Sequence, residues 1–173
     1  MRFGEGDGAL ELRIGFSFVS EKNARENLEA EMLGKSFAEV RSEATATWND
    51  LLGRIRVEGG TEREKGLFYS SLYRSFLWPA LRSDVNGEFT DVDGKVINPG
   101  FRYYTGPSYW DDYRNKLILL GMLAPDVAAD VISSDTDKGE KRGGFMPTFF
   151  HGDHASAFVA GAVSYTHLTL PTT

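Results

Sequence analysis

The run Tyr109-Trp110-Asp111-Asp112-Tyr113-Arg114 gathers two carboxylates, a guanidinium and three aromatic rings into six consecutive residues. That mixture suits a hydroxyl-rich ligand such as a sugar. Carboxylates accept hydrogen bonds from neighbouring hydroxyls, an arginine donates, and a ring covers an apolar C–H face. The run follows the turn sequence Thr105-Gly106-Pro107-Ser108 and precedes an apolar helical stretch. It is therefore expected on the first turn of a helix, beside the loop that enters it. On such a helix Trp110 and Arg114, and likewise Asp111 and Arg114, share a face. The same spacing also serves a purely structural role, with Asp111 as a cap, Trp110 in the core and Arg114 paired to Asp111 at the surface.

A second cluster is His151-Gly152-Asp153-His154. Two imidazoles and a carboxylate can bind a metal or move a proton, although the spacing matches no zinc pattern and Asp153 is equally well placed to cap a helix. The runs Asp84-Val85-Asn86-Gly87 and Asp91-Val92-Asp93-Gly94 look like pieces of calcium loops, with carboxylate and amide oxygens at alternate positions. The first lacks a further ligand at the next alternate position, and no bidentate glutamate follows at the EF-hand distance. Both therefore read as turns. There is no Gly-rich phosphate loop, nucleophile elbow or CxxC, and no well-separated acid–base carboxylate pair is identifiable.

The elements that must position these residues are mostly helical. Ala24, Leu28 and Met32 recur at every fourth position across a helix from Ser20 to Leu33, which Gly34 ends. Ser36-Phe37-Ala38-Glu39 and Thr61-Glu62-Arg63-Glu64 are capping boxes that open a second and a third helix. The second carries Phe37, Val40, Ala44, Trp48 and Leu51 on one face and ends at Gly53, followed by a short extended piece at Arg54–Val57. The third carries Leu67, Phe68, Leu72, Phe76 and Leu77 and stops before Pro79. Residues 82–106 break this rhythm and predict small strands or hairpins. Ser108 is expected to cap the next helix, with Asp111 at its third position and Leu117, Ile118, Leu120 and Leu123 buried. Pro125 opens a helix through Ile132, a Gly-rich loop spans 133–150, and Asp153 begins a last helix with Phe158 and Val159 inside. Helices separated by long loops suggest stacked α-hairpins.

At 173 residues, with 41% apolar and 25% charged residues, the chain is large enough for one ordinary domain with a real core. A net charge of -6 argues against nucleic acid or an anionic membrane as partner. The lack of cysteine rules out disulfides, thiolate catalysis and cysteine–zinc sites. No apolar run approaches a membrane span, and the first twenty residues have no secretory-signal pattern, so an export signal would lie upstream. Leu10, Leu12 and Ile14 alternate with Glu11 and Arg13 as a lone strand, whose sheet partners are expected outside this chain. Residues 164–173 carry no helical pattern and resemble translated adapter sequence. They are read as a non-native tail, which removes His167 from the candidate residues.

Several segments then converge in order. Gly15-Phe16-Ser17-Phe18-Val19-Ser20, Ala24, Asn27-Leu28-Glu29, Trp48-Asn49 and Leu51-Leu52 resemble the domain junction of glycoside hydrolase family 92. Phe68-Tyr69-Ser70-Ser71-Leu72-Tyr73-Arg74, Asp84-Val85-Asn86-Gly87, Tyr103-Tyr104-Thr105 and Ser108-Tyr109-Trp110-Asp111-Asp112-Tyr113-Arg114 are similar to the same family. So are Gly144-Phe145-Met146-Pro147 and Gly152-Asp153-His154-Ala155. The resemblance covers roughly residues 14–163, and an ordered series is far more specific than any one of its pieces.

The resemblance implies an exo-acting, inverting, calcium-dependent α-mannosidase that acts on mannose-containing glycans. Its fold would be mainly α, the opening part of an (α/α)6 toroid preceded by linker helices and the last strand of a β-sandwich. Residues 1–19 would end the sandwich, 20–55 would be linker helices, 56–163 would open the barrel, and 164–173 would be the tail. The family's acid glutamate, base aspartates and main calcium site belong to downstream barrel segments, and no part of this chain matches those motifs. The resemblance therefore implies an inactive fragment, calcium held by the parent protein, and a periplasmic or extracellular location. It makes Trp110, Asp111 and Arg114 part of the wall for the terminal mannose: Asp111 accepts sugar hydroxyls, Trp110 shapes the pocket, and Arg114 orients Asp111 or donates to the sugar. Asp153 and His154 fall on the aglycone side. Asp112 stands where threonine is more usual. The competing reading is a non-catalytic all-α carbohydrate-binding or scaffold domain.

Overall fold

A computed structural model describes residues 10–146 and 152–166, with the backbone alone for 164–166. Among the described residues, seven helices and one small hairpin follow in order: α1 (Glu21–Met32), α2 (Phe37–Leu52), α3 (Glu62–Ser75), β1 (Phe89–Thr90), β2 (Val96–Ile97), α4 (Tyr109–Asp112), α5 (Lys116–Leu123), α6 (Pro125–Lys141) and α7 (His154–Thr166). The chain is thus mainly α. Side chains the sequence supplies set the first three starts. Ser20 accepts from the Asn23 N–H, and Ser36 with Glu39 and Thr61 with Glu64 form complete capping boxes. Gly34, at φ 76°, takes the left-handed conformation that lets the chain leave α1.

The excursion between α3 and α4 is a two-stranded antiparallel hairpin that pairs Phe89 with Ile97 and Thr90 with Val96. Leu81 bridges Tyr104 beside it. Both Asp-x-x-Gly runs are turns, closed by Gly87 N–H to Asp84 O at 2.9 Å and Gly94 N–H to Asp91 O at 3.1 Å. The buried Asp84 carboxylate also accepts from Ser17 Oγ (2.6 Å), Asn23 Nδ2 (2.9 Å) and Asn27 Nδ2 (2.7 Å), which fastens the hairpin region to α1. Phe89 stacks on Tyr103 with centroids 3.6 Å apart.

The core forms where α5, α6 and α7 pack on one another. Leu117, Leu120, Ala128, Val131, Ala155, Phe158 and Ala162 meet there with Tyr104 and Tyr109. Each contributes by removing apolar surface from water, about 25 cal/mol per Å². On the other flank, α2 packs on α3 through Trp48 and Tyr73, rings 4.5 Å apart, yet no residue of α2 is buried. Leu67 stays 59% exposed, while Leu72 is buried.

Five expectations are corrected. Leu10–Ile14 is not a strand among the described residues, and the segment is exposed. The helix expected from Ser108 is broken, with α4 and α5 separated by a turn at 113–115 where Asn115 (φ -135°, ψ -80°) caps α5 afresh. The helix from Pro125 does not stop at Ile132 but runs to Lys141. Its inner face continues past Val131 as Ser134, Asp135, Lys138 and Gly139, all buried, so hydrophobic periodicity fades while helical packing goes on. Arg54–Val57 forms a turn, a bend and irregular chain rather than extended structure. The last helix extends through Thr166, beyond Val163. Residues 1–9, Pro147, His151 and His167 lie outside the described residues.

Candidate functional site: the α4 turn and the start of α7

The α4 turn presents its residues to different sides. Tyr109 is 1% exposed, whereas Trp110 is 53% exposed, so Trp110 is not a core residue. Asp111 is exposed, and its Oδ2 accepts from Ser108 Oγ at 2.6 Å. Ser108 thus orients the carboxylate instead of capping the helix with its side chain, contrary to expectation. Asp112 lies 2.6 Å from Lys116 Nζ, an ion pair that spans the break between α4 and α5. Its Oδ2 is buried without a well-angled hydrogen bond, so the contact is chiefly coulombic.

Arg114 falls beyond α4 and does not orient Asp111. Its Nε donates to Tyr113 Oη at 2.5 Å, and its guanidinium lies over the Tyr113 ring, 4.9 Å from the centroid. On the opposite element, Asp153 sits before α7 and accepts from Ser156 N (3.2 Å) and Ser156 Oγ (2.5 Å). Those bonds, the hydroxyl first, hold its carboxyl below the usual range, with His154 adding to the effect. His154 lies flat against Tyr113, centroids 4.3 Å apart and planes 12° apart.

The two clusters are therefore joined through Tyr113, which lies 41 positions before His154. Tyr113 lies inside the Trp-Asp-x-Tyr-Arg run, but helical spacing on a continuous helix did not single it out.

Beneath the α4 turn is a buried polar network. The Tyr109 hydroxyl donates to the Asp135 carboxylate. Lys138 Nζ donates to Asp135 Oδ1 at 2.7 Å and to Tyr104 O at 2.9 Å, and Tyr104 N donates to Ser134 Oγ at 2.9 Å. Burial, reinforced by the Asp135 charge, pushes the Tyr109 phenol well above its ordinary value, so it stays a donor.

The described residues do not fit a calcium site. None of them forms a group of three or more carboxylates or imidazoles able to hold a metal. The calcium-like runs direct their oxygens elsewhere: Asp84 to Ser17, Asn23 and Asn27, and Asp91 Oδ1 to the N–H groups of Asp93 and Lys95.

The family model described as the glycosyl hydrolase family 92 catalytic domain matches residues 23–168. A solved family GH92 alpha-mannosidase from Bacteroides thetaiotaomicron, in complex with mannoimidazole, is 28% identical at a TM-score of 0.79, covering 86% of this chain and 21% of its own. A family GH92 inverting mannosidase from the same organism is 29% identical at a TM-score of 0.76, over 84% of this chain and 21% of its own. An uncharacterized secreted glycosidase from Arthroderma benhamiae is 33% identical over 87 residues, 48% of this chain and 11% of that protein. The chain thus spans about a fifth of the solved structures it resembles and less of the fungal protein.

Proposed function

Because the chain belongs to glycosyl hydrolase family 92, we propose that it supplies part of the terminal-mannose wall of an inverting, calcium-dependent exo-α-mannosidase. The substrate is a glycan with terminal α-mannosides, and the parent protein works in the periplasm or outside the cell. Relatives described as an alpha-mannosidase and an inverting mannosidase support the reaction, and one described as a secreted glycosidase supports the location. In this reading residues 20–55 are linker helices, 56–163 open the (α/α)6 barrel, and the preceding residues end a β-sandwich.

The observation that carries the wall is the exposed pair Trp110 and Asp111 on α4, with the carboxylate pre-aimed by Ser108. A pre-oriented carboxylate accepts two neighbouring sugar hydroxyls with little further loss of entropy, and the indole covers the sugar's C–H face. Arg114 and the Tyr113–His154 stack continue the surface, with Asp153 and His154 toward the aglycone.

Inversion needs an acid and a base carboxylate about 6.5–9.5 Å apart with water between them. In this reading that pair and the calcium belong to other segments of the parent, and the chain alone is inactive. The test is to assay the intact protein with an aryl α-mannoside plus calcium and to follow the product anomer by NMR. Initial release of β-mannose supports the proposal. Release of α-mannose, or no hydrolysis with calcium present, contradicts it.

A further inference from the structure

We propose that Tyr109, Asp135 and Lys138 are positioning residues, a buried anchor between α4 and α6 that fixes where Trp110 and Asp111 stand and so sets the enzyme's grip on the terminal sugar. The proposal rests on the mannose-wall reading above.

Helix α4 is short. Four residues make a single turn, which cannot hold its own place by helical cooperativity. Its position must come from outside, and α6 supplies it. Lys138 and Ser134 take the carbonyl and the N–H of Tyr104, and Asp135 takes the Tyr109 hydroxyl. Residues 105–108 span the two grips, and Trp78 Nε1 steadies them by donating to Gly106 O at 3.1 Å. The residue after this clamp is Trp110, and the next is Asp111.

Stability alone does not account for the anchor. Asp135 is 1% and Lys138 8% exposed, and desolvating both charges offsets much of their attraction. Apolar residues of similar volume would hold α6 to the loop about as well. What they would not do is fix one rotational setting of α4, as a directional phenol–carboxylate bond does. A shift of about 1 Å in a sugar-binding group is enough to cost a large factor in rate.

The test uses the intact enzyme and a double-mutant cycle with an aryl α-mannoside. Tyr109→Phe removes one oxygen and leaves the ring in the core. It should lower kcat/KM about tenfold with little change in melting temperature. In an Asp111→Ala background the same change should cost about twofold or less, because the group it aims is already gone. Asp135→Asn, which keeps an acceptor for the phenol, should lower kcat/KM less than Tyr109→Phe does. If it fails to fold, the Tyr109→Phe cycle decides alone. An unchanged kcat/KM for Tyr109→Phe, or an equal fold loss in both backgrounds, overturns the proposal. If Asp111→Ala itself leaves activity intact, the wall reading fails first and the anchor's role falls with it.

Discussion

His154 stacks face to face on Tyr113, with ring centroids 4.3 Å apart, and thereby joins the start of α7 to the turn after α4. The contact makes one surface of two sequence clusters. It places an imidazole next to a ring that Arg114 covers from its own side, 4.9 Å from the centroid.

If that surface faces the aglycone, His154→Ala should discriminate between substrates. We expect kcat/KM on a mannose disaccharide to fall about tenfold, with a smaller loss on an aryl α-mannoside, since a single stacking or hydrogen-bonding contact is worth roughly that much. Equal losses on both substrates would place His154 against the terminal sugar or in a structural role. Tyr113→Leu should behave like His154→Ala, because each ring is held by the other.

The capping boxes give a pH dependence with a definite sign. Bonds from the Ser36 N–H and hydroxyl hold the Glu39 carboxyl below its ordinary value, and those from Thr61 do the same for Glu64. A carboxyl whose pKa is lower folded than unfolded contributes stability fully above its unfolded value, near 4.5 here. That contribution fades as the pH falls through the folded value. The first turns of α2 and α3 should therefore fray at acid pH, visible as lower amide-exchange protection factors at residues 37–40 and 62–65. Ser36→Ala and Thr61→Ala should remove the acid-dependent part at their own helix and leave the other unchanged.

Expressed by itself, the chain should associate. Leu67 (59% exposed), Phe37 (69%) and Leu33 (72%) lie on the flank of α1 to α3, and Trp78 (45%) adds to the uncovered apolar surface. Surfaces of this kind bind hydrophobic dyes and one another. Sedimentation of the isolated chain should show oligomers with dye binding. A monodisperse, cooperatively melting monomer would show that the flank needs no cover.

The sequence disclosed most where local chemistry is decisive. Ser36 with Glu39 and Thr61 with Glu64 close their capping boxes, and the Asp84 and Asp91 runs close their turns, since each needs only neighbours a few residues away. It misled where tertiary contacts decide. The 133–141 stretch looked like loop because its inward face is polar, and Tyr104 and Tyr109, docking from afar, complete the bonding of Ser134, Asp135 and Lys138. The break at Asn115 was hidden by the apolar run that follows it, and it moved Arg114 from a partner of Asp111 to a partner of Tyr113. The residue types of Trp110 and Asp111 suggested a ligand surface, and both stand exposed on α4. That His154 would meet Tyr113 was not legible, because stacking across 41 positions leaves no periodic trace.

The most direct measurement is the effect of Asp111→Ala on the intact enzyme, assayed on an aryl α-mannoside with calcium. A carboxylate that accepts sugar hydroxyls contributes about 1.5–3 kcal/mol through a charged hydrogen bond, so kcat/KM should fall by about ten- to a hundredfold while the melting temperature holds. Activity equal to the unaltered enzyme would contradict the account, and would leave Asp111 as no more than a surface carboxylate at the start of a short helix.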